Sequence, residues 1–504
     1  MADTKREIER KYEADESAGL SDLPDLTRVS GVSAVIDKGV AELDATYYDT
    51  PDQRLAAASL TLRRRTGGDD AGWHLKLPVS EGVRDEIHAP LSDTVPRTLS
   101  GLVRSRVRDA ELVPVVRLQS ARDIRHLVDA SGGLLAEISV DRVHAERLSG
   151  GDGTAEWTEI EVELADDGDP AFLDKVEKKL RKAGVSRSKS ASKLARALGE
   201  TGQAPRKQAV VEAAPVTSGD HVLAYVRAQR DAIIELDPAV RRDVYDSVHR
   251  MRVATRRMRS AFRSFGKVLE PAVTDPIRDE LKWLAGELGV DRDQEVLTER
   301  LNAALDALPR AQLTGPVRTR LRTWSHARRS GSRRRLIAVL DGRRYLDLLT
   351  TLDTLLATPP LLKAASGDPE RVISKAVRKD FDKLSGLVAE AIEAPPGPDR
   401  DLAIHEARKK AKRTRYSAEA ATPALGKPAK SLTSDMKSLQ SLLGEHQDSV
   451  MAREALRDVA TQAHAAGESA FTYGVLYGRE ERAAEAVEAE LPGAWGTIRS
   501  GTAF

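Results

Sequence analysis

The chain has 504 residues and no cysteine, and its 79 Lys and Arg residues nearly balance its 78 Asp and Glu residues. This length favours more than one domain, and without cysteine any metal ion must bind carboxylates or imidazoles. No apolar run approaches the ~20 residues of a membrane span, and the charged N-terminus has no apolar signal core. We therefore expect a soluble, cytoplasmic protein that does not enter membranes.

Residues up to about 165 alternate between polar and apolar side chains, which is typical of half-buried strands. The run Glu159-Ile160-Glu161-Val162-Glu163-Leu164 is one example, and Gly- and Asp-rich breaks such as residues 67–70 separate such runs. A helical pattern over about residues 170–183 closes this half. Many alternating strands separated by turns predict an antiparallel barrel or a strongly curved sheet.

Charged side chains share single faces of these predicted strands, because residues i and i+2 point the same way. Glu159, Glu161 and Glu163 form one such set, and Arg63 and Arg65 form another. A solvent-facing surface is the simplest explanation for any one strand, but like charges in a row repel each other. Arg and Lys bind phosphate oxygens, and clustered carboxylates bind Mg²⁺ or Mn²⁺. Charged faces that point into a barrel would create a tunnel.

Five features in this half occur in the order found in a known family. They are Glu7-x-Glu9-x-Lys11, Tyr47-Tyr48-Asp49-Thr50-Pro51, Leu62-Arg63-Arg64-Arg65, Glu159-x-Glu161-x-Glu163 and Ser192-Lys193. Together they resemble the CYTH domain of the triphosphate tunnel metalloenzymes. The resemblance implies an eight-stranded antiparallel tunnel that binds triphosphate with Mg²⁺ or Mn²⁺ and cleaves it.

The same resemblance implies roles for individual residues, with Arg84 and Glu86 also matching the family's pattern as a structural tunnel pair. The implied catalytic residues are Glu7, Glu9, Lys11, Glu159 and Glu161. The implied metal ligands are Glu7, Glu9, Glu159, Glu161, Glu163 and Asp141. The implied substrate ligands are Lys11, Arg63, Arg65, Lys76, Arg84, Arg122 and Lys193.

From about residue 218 the pattern is helical and contains an internal duplication. Val248-His249-x-x-Arg252 matches Ile404-His405-x-x-Arg408 at an offset of 156 residues, and Leu288-Gly289-x-x-x-Asp293 matches Leu443-Gly444-x-x-x-Asp448 at an offset of 155. Pro395-Pro396-Gly397-Pro398 marks a break between the copies. Two related helical bundles are therefore predicted, over about residues 218–394 and 399–504.

Each copy contains a helix whose polar face is almost purely cationic. His249, Arg252 and Arg256 follow steps of three and four residues, as do His405, Arg408 and Lys412, so each set shares one helix face. Met251, Ala254, Met258, Ala261 and Phe265 form the opposite, apolar face of the first helix. A solvated basic face is the simpler alternative, but stacked cations cost stability unless an anion binds them.

These motifs resemble the CHAD domain, which consists of two four-helix bundles with basic surfaces and is associated with inorganic polyphosphate. Few aromatic side chains interrupt the basic faces, which argues against nucleic acid as the ligand. The residues implied to bind polyphosphate are His249, Arg252, Arg256, Arg259, Arg263, His405, Arg408, Lys409, Lys412 and Arg415.

The predicted fold class is α+β multidomain, with a CYTH-like tunnel at residues 1–200, a linker at 201–217 and a CHAD-like helical domain at 218–504. The favoured function is hydrolysis of inorganic triphosphate to pyrophosphate and phosphate, with polyphosphate bound by the helical domain. Two alternatives are an organic triphosphate substrate, as for an adenylate cyclase or a thiamine triphosphatase, and a non-catalytic protein targeted to polyphosphate granules. The chain contains no GxxxxGK[ST], GxSxG or HExxH motif, so any catalysis must rely on the strand carboxylates.

Overall fold

A computed structural model describes residues 3–13, 23–202, 214–329 and 331–501. The chain divides into two compact units, Met1–Glu212 and Ala213–Phe504. Residues 203–213 of the predicted linker lie outside the described residues. Within the described part of the chain, no helix is long and apolar enough to cross a membrane.

The first unit is a closed antiparallel barrel, as predicted. Its strands follow the order β5-β4-β3-β2-β6-β7-β8-β1, and pairing of β1 with β5 closes the barrel. A ninth, two-residue strand pairs with β1 at one end. The strands are β1 (Asp3–Glu13), β2 (Ala34–Asp49), β3 (Thr61–Thr66), β4 (Gly72–Ser80), β5 (Val83–Ala89), β6 (Val113–Val128), β7 (Leu134–Arg147), β8 (Thr154–Leu164) and β9 (Ser186–Arg187).

Alternation along the strands sends apolar side chains outward, where two helices cover them. Leu62, Trp73 and Leu75 pack against one helix, α2 (Arg97–Val107), and Ile160 and Val162 pack against α3 (Ala171–Lys182). The helix predicted at about residues 170–183 is therefore confirmed as α3. The described part of this unit also contains the α-helices α1 (Arg54–Ala57) and α4 (Lys193–Glu200).

The interior of the barrel has two different halves. At one end Tyr47, Val143 and Trp157 point inward and pack against Leu194 and Leu198 of α4. These residues form a continuous apolar core inside the barrel. The remainder of the interior is a charged cavity, so α4 closes the predicted tunnel at one end.

The second unit is helical from Ser218 onward, as the sequence predicts. Its helices are α5 (Ser218–Arg241), α6 (Ser247–Ser264), α7 (Pro271–Glu287), α8 (Val290–Asp306), α9 (Val317–Arg329), α10 (Ser332–Asp341), α11 (Arg343–Ala357), α12 (Pro369–Glu393), α13 (Pro398–Leu425), α14 (Lys427–Ala465) and α15 (Phe471–Gly501).

Two groups of four helices account for most of this packing. Helices α5, α6, α7 and α11 form the first group, and α12 to α15 form the second, in which each helix packs against the next. The predicted break at Pro395-Pro396-Gly397-Pro398 lies between α12 and α13 and therefore inside the second group, not between the two groups as the sequence predicted. Met251, Ala254 and Met258 of α6 are buried in the core that both groups share, which confirms the predicted apolar face.

Candidate functional sites

The barrel encloses a cavity of about 900 Å³ whose own charges cancel. Among the described residues, nine Lys or Arg and nine Asp or Glu side chains line it. The cations are Lys5, Lys11, Lys38, Arg63, Arg65, Lys76, Arg84, Arg122 and Lys193. The anions are Glu7, Glu9, Asp69, Asp70, Glu86, Glu137, Glu161, Glu163 and Asp166.

Glu7 and Glu9 project from β1 into this cavity, because alternation places both on the inner face. They are only 5% and 7% exposed. Glu7 Oε2 lies 2.5 Å from Lys76 Nζ, and Glu9 Oε1 lies 3.5 Å from Lys11 Nζ. Burial raises the pKa of Glu7 to about 7 even though Lys76 opposes this shift. Near neutral pH, Glu7 can therefore release a proton when a cation approaches.

A second group of carboxylates surrounds Lys193. Asp141, Glu159 and Glu161 have oxygen atoms within 4.8 Å of one another, and Lys193 Nζ lies 2.7–2.8 Å from all three. Burial alone would lower the pKa of Lys193, but the three carboxylates outweigh burial and raise it. Lys193 is the first residue of α4, so the helix that closes the barrel also carries this ammonium group into the cavity.

Arg122 of β6 bonds to two carboxylates of this group, on the nearby strands β7 and β8. Its guanidinium bonds to both carboxylate oxygens of Asp141 at 2.7 and 2.8 Å and to Glu161 Oε2 at 2.7 Å. Lys11 also contacts Glu161. Glu161 therefore lies between three cations, which lower its pKa despite its burial.

The inner face of β3 adds two arginines. Arg63 lies 3.5 Å from both Glu86 Oε1 and the hydroxyl oxygen of Tyr47. Burial, followed by the nearby charges of Arg63 and Arg122, lowers the pKa of Arg65 to about 9. Arg65 also pairs with Asp70, so both arginines of this wall line the cavity with a carboxylate partner.

His74 is a cavity residue to which the sequence assigned no role. It is 1% exposed, with Nδ1 3.0 Å from Glu86 Oε1 and Nε2 2.9 Å from the carbonyl oxygen of Asp70. Burial lowers its pKa to about 4. The alternation along β4 places His74 on the same face as Lys76. This shared face could have predicted from the sequence that His74 lies in the cavity.

Most of the tunnel residues named from the sequence meet in this cavity. Glu163 lines its outer part and pairs with Lys5 at 2.9 Å. Asp141 and Glu159 point inward but lie outside the lining, behind Lys193. Ion pairs between nearby strands interleave the two kinds of side chain around the cavity.

The donor atoms of the cavity suit a hard divalent cation such as Mg²⁺ or Mn²⁺, which prefers carboxylate oxygens. Glu7, Glu9 and Glu161 line the cavity and are all less than a tenth exposed. A triphosphate would add several negative charges to a cavity whose own charges cancel. A divalent cation that enters with the substrate would offset them.

The two basic helix faces of the second unit meet in a cavity of about 670 Å³. It is lined by seven Lys or Arg side chains and, among the described residues, by one carboxylate, Asp448. Two histidines, His249 and His405, also line it. The cations are Arg252, Arg256, Arg300, Arg408, Lys412, Arg415 and Lys437.

Three residues predicted to bind polyphosphate lie outside this cavity. Arg263 is exposed in the last turn of α6, and Arg259 lies near Arg278. Lys409 follows Arg408 directly, so it points about 100° away around the helix, where it pairs with Glu406.

Arg300 of α8 and Lys437 of α14 are cavity cations that the sequence analysis missed. Neither belongs to a basic stripe, and only tertiary packing brings them to the site. The side chains of Arg292 and Asp293, which belong to the predicted repeat motif, lie outside the described residues.

The duplicated glycines explain part of the repeat. A Cβ atom at Gly289 would lie 2.9 Å from the guanidinium of Arg252, and one at Gly444 would lie 3.6 Å from that of Arg408. Gly289 therefore leaves room for Arg252, whereas a side chain at residue 444 would make an ordinary contact with Arg408. The motifs His-x-x-Arg and Leu-Gly are two parts of one structural unit.

Lys412 lies at the centre of this positive charge. Burial, together with Arg408, Arg256 and Arg252, lowers its pKa to about 7. Nearby, His405 Nδ1 contacts Gln447 Oε1. An anion in the cavity would relieve the repulsion among these cations.

The closed barrel with a charged interior and the paired helical groups define a tunnel-type domain followed by a basic helical domain. The CYTH domain model matches residues 5–198, and the CHAD domain model matches residues 224–457. The chain therefore belongs to the proteins in which a CYTH domain is joined to a CHAD domain. CYTH proteins are typically metal-dependent triphosphatases or cyclases, and CHAD domains are linked to polyphosphate.

An uncharacterised protein of Mycobacterium tuberculosis strain H37Rv is 39% identical over 508 residues, covering 96% of this chain and 95% of its own. Among solved structures, PptA from Streptomyces chartreusis is 22% identical, with 56% of this chain and 99% of that chain covered and a TM-score of 0.47. The CHAD domain from the plant Ricinus communis is 23% identical, with coverages of 57% and 93% and a TM-score of 0.43. A proposed adenylyl cyclase from Hippeastrum with a dominant triphosphatase activity is 18% identical, with coverages of 40% and 99% and a TM-score of 0.24.

Proposed function

We propose that the barrel hydrolyses inorganic triphosphate to pyrophosphate and phosphate with the help of Mg²⁺ or Mn²⁺. The observation that carries this proposal is the cavity in which buried carboxylates and buried cations alternate around one enclosed volume. Its described lining is mostly charged, and the apolar residues, such as Val40, Ile124 and Leu134, are a minority. An inorganic substrate therefore suits the cavity best.

The cations of the cavity bind and orient the substrate. Arg63, Arg65 and Lys76 donate hydrogen bonds to phosphate oxygens from one wall, and Lys11, Arg122 and Lys193 donate from the other. Asp141 and Glu159 position the Lys193 ammonium through their contacts of 2.8 Å. Burial of these charges strengthens every interaction with the substrate, because little water screens them.

Glu7, Glu9 and Glu161 are the residues that would hold the divalent cation. When bound, such an ion would neutralise phosphate charge and would lower the pKa of a water molecule. The water oxygen attacks a terminal phosphorus, the bridging P–O bond breaks, and pyrophosphate leaves. Lys11 holds Glu9 and Glu161 together on the metal-binding side of the cavity.

The test is phosphate release from tripolyphosphate, ATP and thiamine triphosphate in Mg²⁺ or Mn²⁺, with Glu161→Gln as the variant. We expect tripolyphosphate to be the preferred substrate. The variant should lose activity, because glutamine has the shape of glutamate but lacks its negative charge. Preference for ATP or thiamine triphosphate would assign an organic substrate instead. No turnover of any of the three would leave a binding protein without catalysis.

We also propose that the helical cavity binds inorganic polyphosphate. Its lining has seven cations and one carboxylate, and of these cations Arg300 pairs with Glu445 and Glu480. A linear polyanion would satisfy several of the cations at once. Binding of polyphosphate to the wild type and to Arg408→Ala, compared with Lys409→Ala, tests this assignment. Arg408 lines the cavity and Lys409 does not, so only the first variant should weaken binding.

A further inference from the structure

The barrel cavity has a buried end and an exposed end. One end of the lining is buried, and its residues Tyr47, Thr61 and Lys193 are 3%, 6% and 9% exposed. Val40 and Leu134, at the other end, are 62% and 43% exposed. Solvent and substrate therefore enter from the side of Val40 and Leu134.

The buried end is closed by packing and by ion pairs. Leu194 and Leu198 of α4 pack against Tyr47, Val143 and Trp157 inside the barrel. The first residue of the same helix, Lys193, is fixed by three carboxylates at 2.7–2.8 Å. Arg84 also donates a hydrogen bond to the carbonyl oxygen of Ala191, just before α4. A chain of phosphates cannot pass this end without removing α4 from the barrel.

The charged part of the interior is long enough for several phosphates but narrow. Lys5 and Lys11 mark its extent along β1, and six residues at about 3.4 Å each correspond to about 20 Å. An eight-stranded barrel leaves room for side chains or one small ligand. A phosphate chain could not enter, turn round and leave through the same opening.

We propose, on the basis of the proposed function, that the barrel accepts only the free terminus of a phosphate chain. The terminal phosphate lies deepest, against Lys193 and Arg122, and the rest of the chain extends toward Lys5. Longer polyphosphate is therefore shortened from its ends and is not cut internally. Each cleavage adds one water molecule across a terminal P–O–P bridge, and the shortened chain keeps a terminal phosphate for the next reaction.

The experiment uses the full-length protein with linear tripolyphosphate, with medium-length polyphosphate, and with the same polyphosphate after both terminal phosphates are blocked as phosphoramidates. Released phosphate and the chain-length distribution on a gel are measured in Mg²⁺ or Mn²⁺. We expect unblocked chains to shorten gradually and blocked chains to show complete loss of cleavage.

Internal fragments, or cleavage of blocked chains at the unblocked rate, would overturn the proposal that only termini enter. Tripolyphosphate turnover without any shortening of unblocked polyphosphate would also overturn it, because the termini of long chains would then be excluded. If tripolyphosphate itself is not cleaved, the proposed function fails, and this outcome differs from the others because it appears in the control substrate.

Discussion

At the scale of single residues, adjacent side chains on β3 offer a direct comparison. Arg63 points into the barrel cavity, whereas Arg64 points outward and donates to the carbonyl oxygen of Ser92 at 3.2 Å. We expect Arg63→Ala to lower kcat/KM for tripolyphosphate about 30-fold, since a hydrogen bond between charged groups is worth about 2 kcal/mol. Arg64→Ala should leave kcat/KM nearly unchanged. If both variants lost the same amount of steady-state phosphate release, Arg63 would act only through the stability of the fold.

Lys412 should make polyphosphate binding depend on pH. Its pKa of about 7 means that it is charged below pH 7 and neutral above, and a polyanion prefers the charged form. Affinity should therefore fall on the order of tenfold from pH 6 to 8, the value of one charge-assisted hydrogen bond. Lys412→Arg keeps its charge throughout this range and copies Arg256 of the other repeat.

The measurement is a polyphosphate titration at several pH values, by calorimetry or by displacement of a dye. The Lys412→Arg variant should lose most of the difference between pH 6 and pH 8. An identical pH profile in the variant and the wild type would assign the dependence to other groups.

The two repeat glycines should tolerate substitution differently. An alanine at residue 289 would press on the guanidinium of Arg252 at 2.9 Å, whereas one at residue 444 would make an ordinary contact with Arg408 at 3.6 Å. Gly289→Ala should weaken polyphosphate binding by about 1 kcal/mol, and Gly444→Ala should change it little. Binding isotherms of both variants check this, with thermal unfolding to establish that each folds. A larger effect at residue 444 would contradict the positioning role.

At the scale of structural elements, α4 connects the closure of the barrel with its electrostatics. Lys193→Met would leave Asp141, Glu159 and Glu161 close together without their shared cation. Removing one partner from a buried group of ions costs about 3 kcal/mol, so the melting transition of the barrel unit should fall. Lys189→Met, at an exposed position of the same segment, is the matched control. Equal melting temperatures for the two variants would show that Lys193 does not stabilise the barrel.

The elements themselves were largely predictable, because alternation and helical spacing are local. The parity of β1, β3, β4 and β8 correctly grouped the charged residues of each strand on one face, and in the structure Glu7, Arg63, Lys76 and Glu161 line the cavity. The closure by α4 was not predictable, because Leu194 and Leu198 meet Tyr47, Val143 and Trp157 only after the barrel forms. The location of Arg300 and Lys437 in the helical cavity was not predictable for the same reason, because neither belongs to a basic stripe on its own helix.

At the scale of the whole molecule, the two cavities differ in how they balance charge. The barrel cavity is lined by nine cations and nine anions, whereas the helical cavity has seven cations and one anion among the described residues. Under the proposed functions, the first would need added cations to accept a phosphate chain, whereas the second would not. The two units of the same chain should therefore respond differently to a chelator.

The most direct test of this account measures tripolyphosphate turnover and polyphosphate binding on one preparation, before and after excess EDTA, at constant ionic strength. We predict that phosphate release falls to the level without protein and returns with Mg²⁺ or Mn²⁺, while polyphosphate affinity changes less than about twofold, because its binding relies on the protein's own cations. Turnover that survives EDTA, or polyphosphate binding that disappears with it, would contradict the account.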